Sequence, residues 1–244
     1  MAICKLCQSA PCKPKAHIIP KWAYGNILAN GPAAVVPADQ DQYIGKSPAG
    51  EYDTNLVCIA CEELFSPLDS FGCSFFRDSD WGQDGFEKLT GTSYKIKTLP
   101  GDHYESLHKF AMSLLWRSSA TDRKNFNGVN LGPREQVLGK MLLGNTCSPE
   151  LFPIRLTRYF TPEKIPLLDP EHFLMNPQST KISGYSFTRI FIYGFEIFFS
   201  TDSRISPQTL LEFCASPKSI PILGQCFTGS PDMVSIKKMI QIHQ

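Results

Sequence analysis

The chain has 244 residues, of which 42% are hydrophobic and 11% aromatic, and its formal net charge is +1. A chain of this length and composition can bury a substantial core, which excludes disorder throughout. The net charge by itself says nothing about a nucleic-acid partner, so only the local distribution of charge is informative.

The chain contains nine cysteines. An odd number cannot be fully paired as disulfides within one chain, and the amino-terminal residues MAICKLC have neither the basic nor the apolar region of a secretory signal. We therefore expect reduced thiols in a cytoplasmic protein, where close cysteine pairs act as metal ligands. The most apolar run, RIFIYGFEIFF, contains Glu196 and is shorter than the roughly 20 residues of a membrane helix, so no membrane segment is predicted.

The first predicted element in chain order is a metal-binding module over residues 1–75. Two CxxC pairs are separated by 50 residues, and each can form a tight knuckle that presents two sulfurs to one tetrahedral ion at about 2.3 Å. Cys12 is an alternative ligand, and chance pairing in a cysteine-rich chain is the competing interpretation. The pattern predicts a structural zinc ion on Cys4, Cys7, Cys58 and Cys61.

Between the cysteine pairs, the stretch NGPAAVVPADQ is expected to be a loop. Residues 1–38 contain four lysines and no acidic residue, which indicates either a local basic surface that contacts phosphate or an ordinary solvated face. These lysines are Lys5, Lys13, Lys15 and Lys21. The four cysteines other than Cys12 that lie outside the two pairs are expected to be small core residues. They are Cys73, Cys147, Cys214 and Cys226.

A helical region is predicted over about residues 103–145. In HYESLHKFAMSLLWRSS the apolar positions recur at three- and four-residue spacing, which places them on one helix face. A second helix is predicted to begin near Pro133 and to stop at Gly144-Asn145. Trp116 is expected in the core and Arg117 at the polar edge, although a phosphate contact by Arg117 is the alternative.

The last region is predicted to be a sheet. The run GYSFTRIFIYGFEIFFS, within about residues 183–200, is dense in aromatic and β-branched residues on either side of Gly194, as in a hairpin or two buried strands. A short helix is expected in PQTLLEFCA. The chain is thus predicted to be α+β, with the module of residues 1–75 packed against residues 76–244 as one compact unit.

The order CxxC, AHIIP, NLVCIACEE resembles the core of the HNH nucleases, the ββα-metal or treble-clef fold, in versions supported by structural zinc. In that family a histidine ends the first strand of a hairpin, an asparagine lies on the second strand, and the following helix supplies a metal ligand. The resemblance implies that His17 is the general base, that Asn55 orients it, and that Glu62 binds the catalytic ion.

Two positions depart from the common pattern of that family. Ala16 stands where an aspartate is frequent, and Glu62 stands where a histidine ligand is frequent. A glutamate is a hard oxygen donor, which suits Mg²⁺ or Mn²⁺. A second donor is then required, and Asp53 and Asp69 are the nearest acids, although Ser66-Pro67-Leu68-Asp69 also has the pattern of a capped helix start.

The resemblance extends to a group of bacterial proteins that join an SHIIP or AHIIP module to CxxCE and a similar helical region, over about residues 1–145. It implies metal-dependent cleavage of nucleic acid, with DNA expected, in antiviral defence or as a toxin. The alternative is a catalytically inactive zinc-supported module that binds nucleic acid or protein within a complex. A protein partner that supplies DNA binding or activation fits either hypothesis, because the chain is close to neutral.

Overall fold

The structure is a computed structural model that describes residues 2–24, 33–36, 45–47, 50–161, 170–172, 174–204, 207–228 and 230. This part of the chain is mixed α+β, as predicted. Its strands are β1 (Ala16–His17), β2 (Ala33–Val36), β3 (Gly45–Ser47), β4 (Tyr52–Asp53), β5 (Glu87–Lys88), β6 (Lys95–Pro100), β7 (Ile154–Phe160), β8 (Leu174–Ile182), β9 (Tyr185–Ile192), β10 (Phe195–Ser200) and β11 (Ser219–Cys226). Its α-helices are α1 (Ile59–Gly72), α2 (Tyr104–Ala120), α3 (Pro133–Leu143) and α4 (Gln208–Leu211).

The predicted hairpin around Gly194 is confirmed as β9 and β10, which pair in antiparallel register. The connecting residues Tyr193 and Gly194 have φ angles of 49° and 73°. Two consecutive positive φ values match the right-handed twist of a two-residue hairpin, and glycine adopts such a φ without steric cost. The density of aromatic and β-branched residues and the glycine together located this element.

The large sheet has nine strands in the order β3-β2-β8-β9-β10-β7-β11-β6-β5. It is mixed, because β7 runs parallel to β11 and β2 runs parallel to β8. The prediction of a loop at NGPAAVVPADQ was wrong at Ala33–Val36, which forms β2. Two alanines and two valines can extend the sheet there, whereas glycine and proline occupy only the flanks. The amino-terminal region therefore contributes strands to the carboxyl-terminal sheet.

The two predicted helices of the middle region are confirmed as α2 and α3, and α3 begins at Pro133. Trp116 is buried, as expected, but the placement of Arg117 at the polar edge was wrong, since this residue is only 1% exposed. Helix α2 packs against α1 and α3 at once, so almost every side of it is covered. Because Arg117 is buried, its guanidinium does not contact a phosphate at the surface, which was the alternative role for this residue.

Helix α1 begins at Ile59, seven residues before Ser66, the N-cap of the predicted helix start. Its N-cap is Cys58, and Pro67 lies inside the helix. Proline there removes one backbone hydrogen bond, but α1 is held by tertiary contacts, such as Phe65 against Trp116 with ring centroids 6.1 Å apart. The capping pattern of residues 66–69 was therefore overridden by packing.

Two remaining expectations concern the carboxyl-terminal half. The short helix is confirmed as α4, over four residues. The prediction that the extra cysteines are core residues was wrong for Cys226, which is exposed, while the other three are partly exposed. None of the helices in the described ranges combines the length and apolar character needed to cross a membrane.

Candidate metal centre and the adjoining polar pocket

The four cysteines of the two CxxC pairs come together, as predicted. The sulfurs of Cys4, Cys7, Cys58 and Cys61 all lie within 4.8 Å of one another, and the Sγ atoms of Cys7 and Cys58 are 3.7 Å apart. A tetrahedral ion with metal–sulfur bonds of about 2.3 Å requires sulfur–sulfur edges of about 3.8 Å. A disulfide requires about 2.05 Å, so the spacing is that of a metal site. The four cysteines can therefore hold a structural ion such as zinc.

Backbone hydrogen bonds position the two knuckles relative to each other. The Lys5 amide donates to the Leu56 carbonyl at 2.9 Å, and the Lys13 amide donates to the Val57 carbonyl at 2.8 Å. Within the first knuckle, the Cys7 amide donates to the Cys4 sulfur at 3.4 Å. The first pair is thus pinned to the segment that leads into α1, which carries the second pair.

The electrostatics of the cluster also favour a cation. Burial raises the pKa of Cys58 and of Cys61, because a buried thiolate without a counter-charge is unfavourable. Cys7 is more exposed than the other three cysteines of the cluster. The Ser9 hydroxyl donates a hydrogen bond to its sulfur and lowers the pKa of this thiol to about 6. A bound cation would stabilise all four thiolates. Cys12, the alternative ligand, is outside this group.

His17 lies on a two-stranded hairpin next to the cluster. Strand β1 pairs with β4, with Ala16 opposite Asp53 and His17 opposite Tyr52. The chain then runs through Cys58 into α1. The local order is therefore strand, strand, helix, with the histidine at the end of the first strand and the last cysteine pair at the start of the helix.

One face of α1 and the segment after His17 line a shallow pocket of about 460 Å³. The helix residues that face it recur at spacings of three and four, which places them on one side of the helix. They are Glu62, Ser66, Asp69 and Ser70, followed by Cys73. The opposite wall consists of His17 and residues 20–22. The structure thus brings His17 and Glu62 to the same pocket.

Glu62 has one free carboxylate oxygen in this pocket. Its Oε1 forms an ion pair with Lys13 at 3.2 Å, whereas its Oε2 is buried and has no hydrogen-bond partner. A buried carboxylate oxygen without a donor costs free energy. A cation or water bound at Oε2 would remove that cost.

Asp69 is held by Arg117. The two guanidinium nitrogens donate to the two carboxylate oxygens at 3.0 and 2.6 Å, and Arg117 also approaches the His17 carbonyl at 3.4 Å. Such two-point pairs are strong and directional. Arg117 therefore links α1 to β1. The sequence analysis missed this role because it depends on contacts between residues that are far apart in the chain.

The imidazole of His17 is half-buried and favours its neutral form. Burial lowers its pKa below the ordinary value of 6.5, and the charge of Lys13 acts in the same direction, against the opposing effect of Glu62. A neutral imidazole has a free lone pair and can accept a proton at pH 7.

Asn55 is not brought to this pocket. It lies two residues beyond β4 and is exposed, and its backbone amide donates to Asp53 at 2.7 Å. Within the described part of the chain, no hydrogen bond joins the Asn55 side chain to His17. The predicted orienting role of Asn55 therefore has no contact to support it.

Asp53 is a structural acid and is not available as a second metal donor. It accepts hydrogen bonds from the Thr121 hydroxyl at 2.6 Å and from the Asn55 amide at 2.7 Å. Burial raises the pKa of Asp53, but these donors and the Asp122 amide outweigh that effect and hold the pKa below its ordinary value.

Replacement of Asp53 by asparagine is expected to lower the free energy of unfolding at pH 7 by about 1–3 kcal/mol, because charge-assisted hydrogen bonds are lost. A depressed pKa contributes stability above the unfolded value, which is lost as the pH falls through the folded value. The difference in the free energy of unfolding between wild type and Asp53→Asn, measured by urea denaturation, should therefore become smaller below pH 4. Asp122→Asn, which changes an exposed side chain, is the control. A stability difference between wild type and Asp53→Asn that stays constant with pH would contradict this account.

The predicted basic surface is smaller than the sequence indicates. Lys5 pairs with Asp122 at 2.7 Å, and Lys13 pairs with Glu62. Lys15 lies over the Tyr52 ring, 5.3 Å from its centroid, and Lys21 borders the pocket. Lys15 and Lys21 are the two that remain exposed without an ion pair in the described part of the chain.

No second metal cluster comparable to the four cysteines is formed by the described residues, since no other group of three His, Cys, Asp or Glu ligand atoms converges among them. The pocket offers one unpaired carboxylate oxygen beside a neutral histidine. Mg²⁺ is commonly bound through one or two carboxylates, with waters and substrate phosphates completing its shell, and Glu62 fits that mode. Comparisons with protein-family models, curated proteins and solved structures found no match to this chain.

Proposed function

We propose that the chain is a metal-dependent nuclease of the HNH type that hydrolyses phosphodiester bonds, with DNA as the substrate. The observation that carries the proposal is the meeting of His17 and Glu62 in one pocket at the junction of a β-hairpin and the helix that follows it. The neighbouring cysteine cluster supports a treble-clef arrangement with zinc as the structural ion.

In this proposal, His17 takes the proton of the attacking water, for which its neutral form is suited. Glu62 would hold Mg²⁺ or Mn²⁺ through the oxygen that lacks a partner; such an ion supplies electrostatic stabilisation of the charge that develops on the phosphate. Lys21, at the rim, is placed to attract the phosphate backbone. Asn55 is not required by this geometry.

A second function is favoured by one specific observation. Asp69, the other acid of the pocket, is fully engaged by Arg117, which is the arrangement of a structural residue. The pocket can therefore belong to a zinc-supported module that binds nucleic acid or a protein partner without cleavage. Roles in antiviral defence or as a toxin in the cytoplasm belong to the nuclease proposal.

The test is plasmid nicking by freshly purified wild-type, His17→Ala and His103→Ala proteins, with Mg²⁺ and Mn²⁺ titrated and bound zinc measured in the same samples. His103 is an exposed histidine outside the pocket, so its variant controls for loss of an imidazole. We expect metal-dependent nicking that falls by about 10²-fold or more in His17→Ala alone. Nicking by His17→Ala at the wild-type rate would remove His17 from the mechanism. No nicking by any protein, with zinc bound, would favour the binding module.

A further inference from the structure

A second pocket, distant in sequence from the first, opens on one face of the large sheet. It has a volume of about 410 Å³ and lies over the central strands β9, β10, β7 and β11. Its size falls within the range of small-molecule sites, about 300–1,000 Å³. Because side chains alternate across a strand, the register of these strands decides which residues form its floor.

Two arginines that line this pocket flank one phenylalanine of the sheet. Phe198 of β10 lies opposite Arg155 of β7 on one side and opposite Arg189 of β9 on the other. The next row places Glu196 opposite Thr157. The sheet thus gathers two cations and one acid within two rows of residues.

Glu196 is already satisfied. The Arg189 Nε donates to its Oε1, and the Tyr159 hydroxyl donates to its Oε2 at 3.1 Å. Glu196 is 7% exposed, so the pair with Arg189 compensates a buried carboxylate. This network neutralises one of the two arginines and leaves Glu196 unavailable to the other.

Arg155 is the uncompensated cation. Its guanidinium stacks on Phe198, with its central carbon 4.6 Å from the ring centroid, which restricts its orientation. It makes no hydrogen bond or ion pair to any residue in the described part of the chain, and its Nε is buried without a partner. Stacking on a ring leaves the N–H donors of the guanidinium unsatisfied.

From this arrangement we infer that the pocket binds a small organic anion through Arg155, with its phosphate or carboxylate group received by the guanidinium fork. Both groups match the spacing of the fork and give charge-assisted hydrogen bonds. The Thr157 hydroxyl on the floor and Gln225 on the wall add polar contacts. The site is independent of the proposed nuclease pocket.

The walls indicate that the ligand also has an apolar or ring-shaped part. Tyr94 and Phe213 line the pocket from outside the strands, and Leu223 adds an apolar side chain from β11. Aromatic walls of this kind favour planar ligands. Glu212 is exposed at the rim and forms no ion pair with Arg155 within the described residues. Glu212 therefore leaves the charge of Arg155 uncompensated.

The experiment is isothermal titration of the full chain with inorganic phosphate, AMP and benzoate, each at constant ionic strength set by sodium chloride. Inorganic phosphate tests the anion alone, AMP tests phosphate with a ring, and benzoate tests carboxylate with a ring. We expect saturable binding of at least one ring-bearing probe, weakened about tenfold or more in Arg155→Gln, because a two-point charged contact is removed. Lys218→Gln removes an equal charge at an exposed position outside the pocket and should bind as wild type does.

Arg155→Lys provides the second variant if Arg155→Gln does not fold. It keeps the charge but loses the planar fork, so it should bind more weakly than wild type. The inference is overturned if no probe gives saturable binding to the wild-type chain, or if binding is the same in wild type and in a folded Arg155 variant. Preference for AMP over benzoate together with binding of inorganic phosphate would indicate a phosphate ligand, and preference for benzoate without binding of inorganic phosphate would indicate a carboxylate.

Discussion

Replacement of Cys58 by serine is expected to abolish metal binding and to unfold the amino-terminal module. Cys58 contributes one of the four converging sulfurs and is also the N-cap of α1. Zinc binding to structural sites contributes about 10–16 kcal/mol in small zinc domains, which exceeds the stability of most domains. Bound zinc, measured by atomic emission, should fall from one ion per chain to none, and the melting temperature should fall with it.

The loss is expected to spread beyond the cysteines. Leu6, Leu56 and Phe65 are buried in the same continuous core as the middle helices, so release of the two knuckles exposes one side of α2. A metal chelator added to the wild type should produce the same change as the substitution. Cys226→Ser is the matched control, because Cys226 is exposed and outside the cluster. A Cys58→Ser protein with unchanged zinc content and melting temperature would contradict the assignment.

Cys12→Ser separates the two ligand sets that the sequence allowed. The structure places Cys12 outside the group of converging sulfurs, so this variant should retain its zinc. Loss of zinc in Cys12→Ser with retention in Cys58→Ser would mean that Cys12 replaces Cys58 as a ligand.

The cluster also determines where Glu62 lies. Cys61 and Glu62 are adjacent in the first turn of α1, so fixing the sulfur of Cys61 fixes the rotation of the helix about its axis. That rotation turns Glu62 and Asp69 toward His17, because residues spaced by seven lie on the same face. The cysteine cluster and the polar pocket are therefore coupled through one helix.

Features that depend on spacing or periodicity could be predicted from the sequence. The four sulfurs follow from two CxxC pairs, and the β9–β10 hairpin follows from the aromatic and β-branched residues on either side of Gly194. Features that depend on contacts between residues far apart in the chain could not be predicted from the sequence. Arg117 occupies an ordinary position in a helical pattern. Its burial follows from the packing of α2 against α1 and α3 and from its pairing with Asp69, 48 residues earlier.

The same limit applies to Asn55 and Pro67. Asn55 matches a family pattern by its order in the chain, yet it lies two residues beyond the end of β4 and is exposed. Pro67 has the local signature of a helix start, but anchoring of Cys61 and packing of Phe65 continue α1 through it. Local signals describe preferences, and long-range contacts decide between them.

The pair formed by Asp69 and Arg117 gives the second large prediction. Arg117 is 1% exposed and Asp69 24% exposed at the side chain. Removal of one partner of a buried pair leaves an uncompensated charge and typically costs about 3–5 kcal/mol. Asp69→Leu should therefore lower the free energy of unfolding by about that amount in urea denaturation, and Arg117→Met should lower it less, because the remaining carboxylate can be hydrated.

The double variant Asp69→Leu/Arg117→Met distinguishes this account from a loss of packing alone. With both charges removed, no buried ion remains, so its stability should lie closer to wild type than that of Asp69→Leu. Glu105→Gln is the control, since Glu105 belongs to an exposed pair with Lys109 and such pairs contribute at most about 0.5 kcal/mol. If Asp69→Leu unfolds at the wild-type urea concentration, Arg117 is stabilised by its other contacts, to Ser113 and to the Phe65 ring. In that case Asp69 is dispensable for the fold.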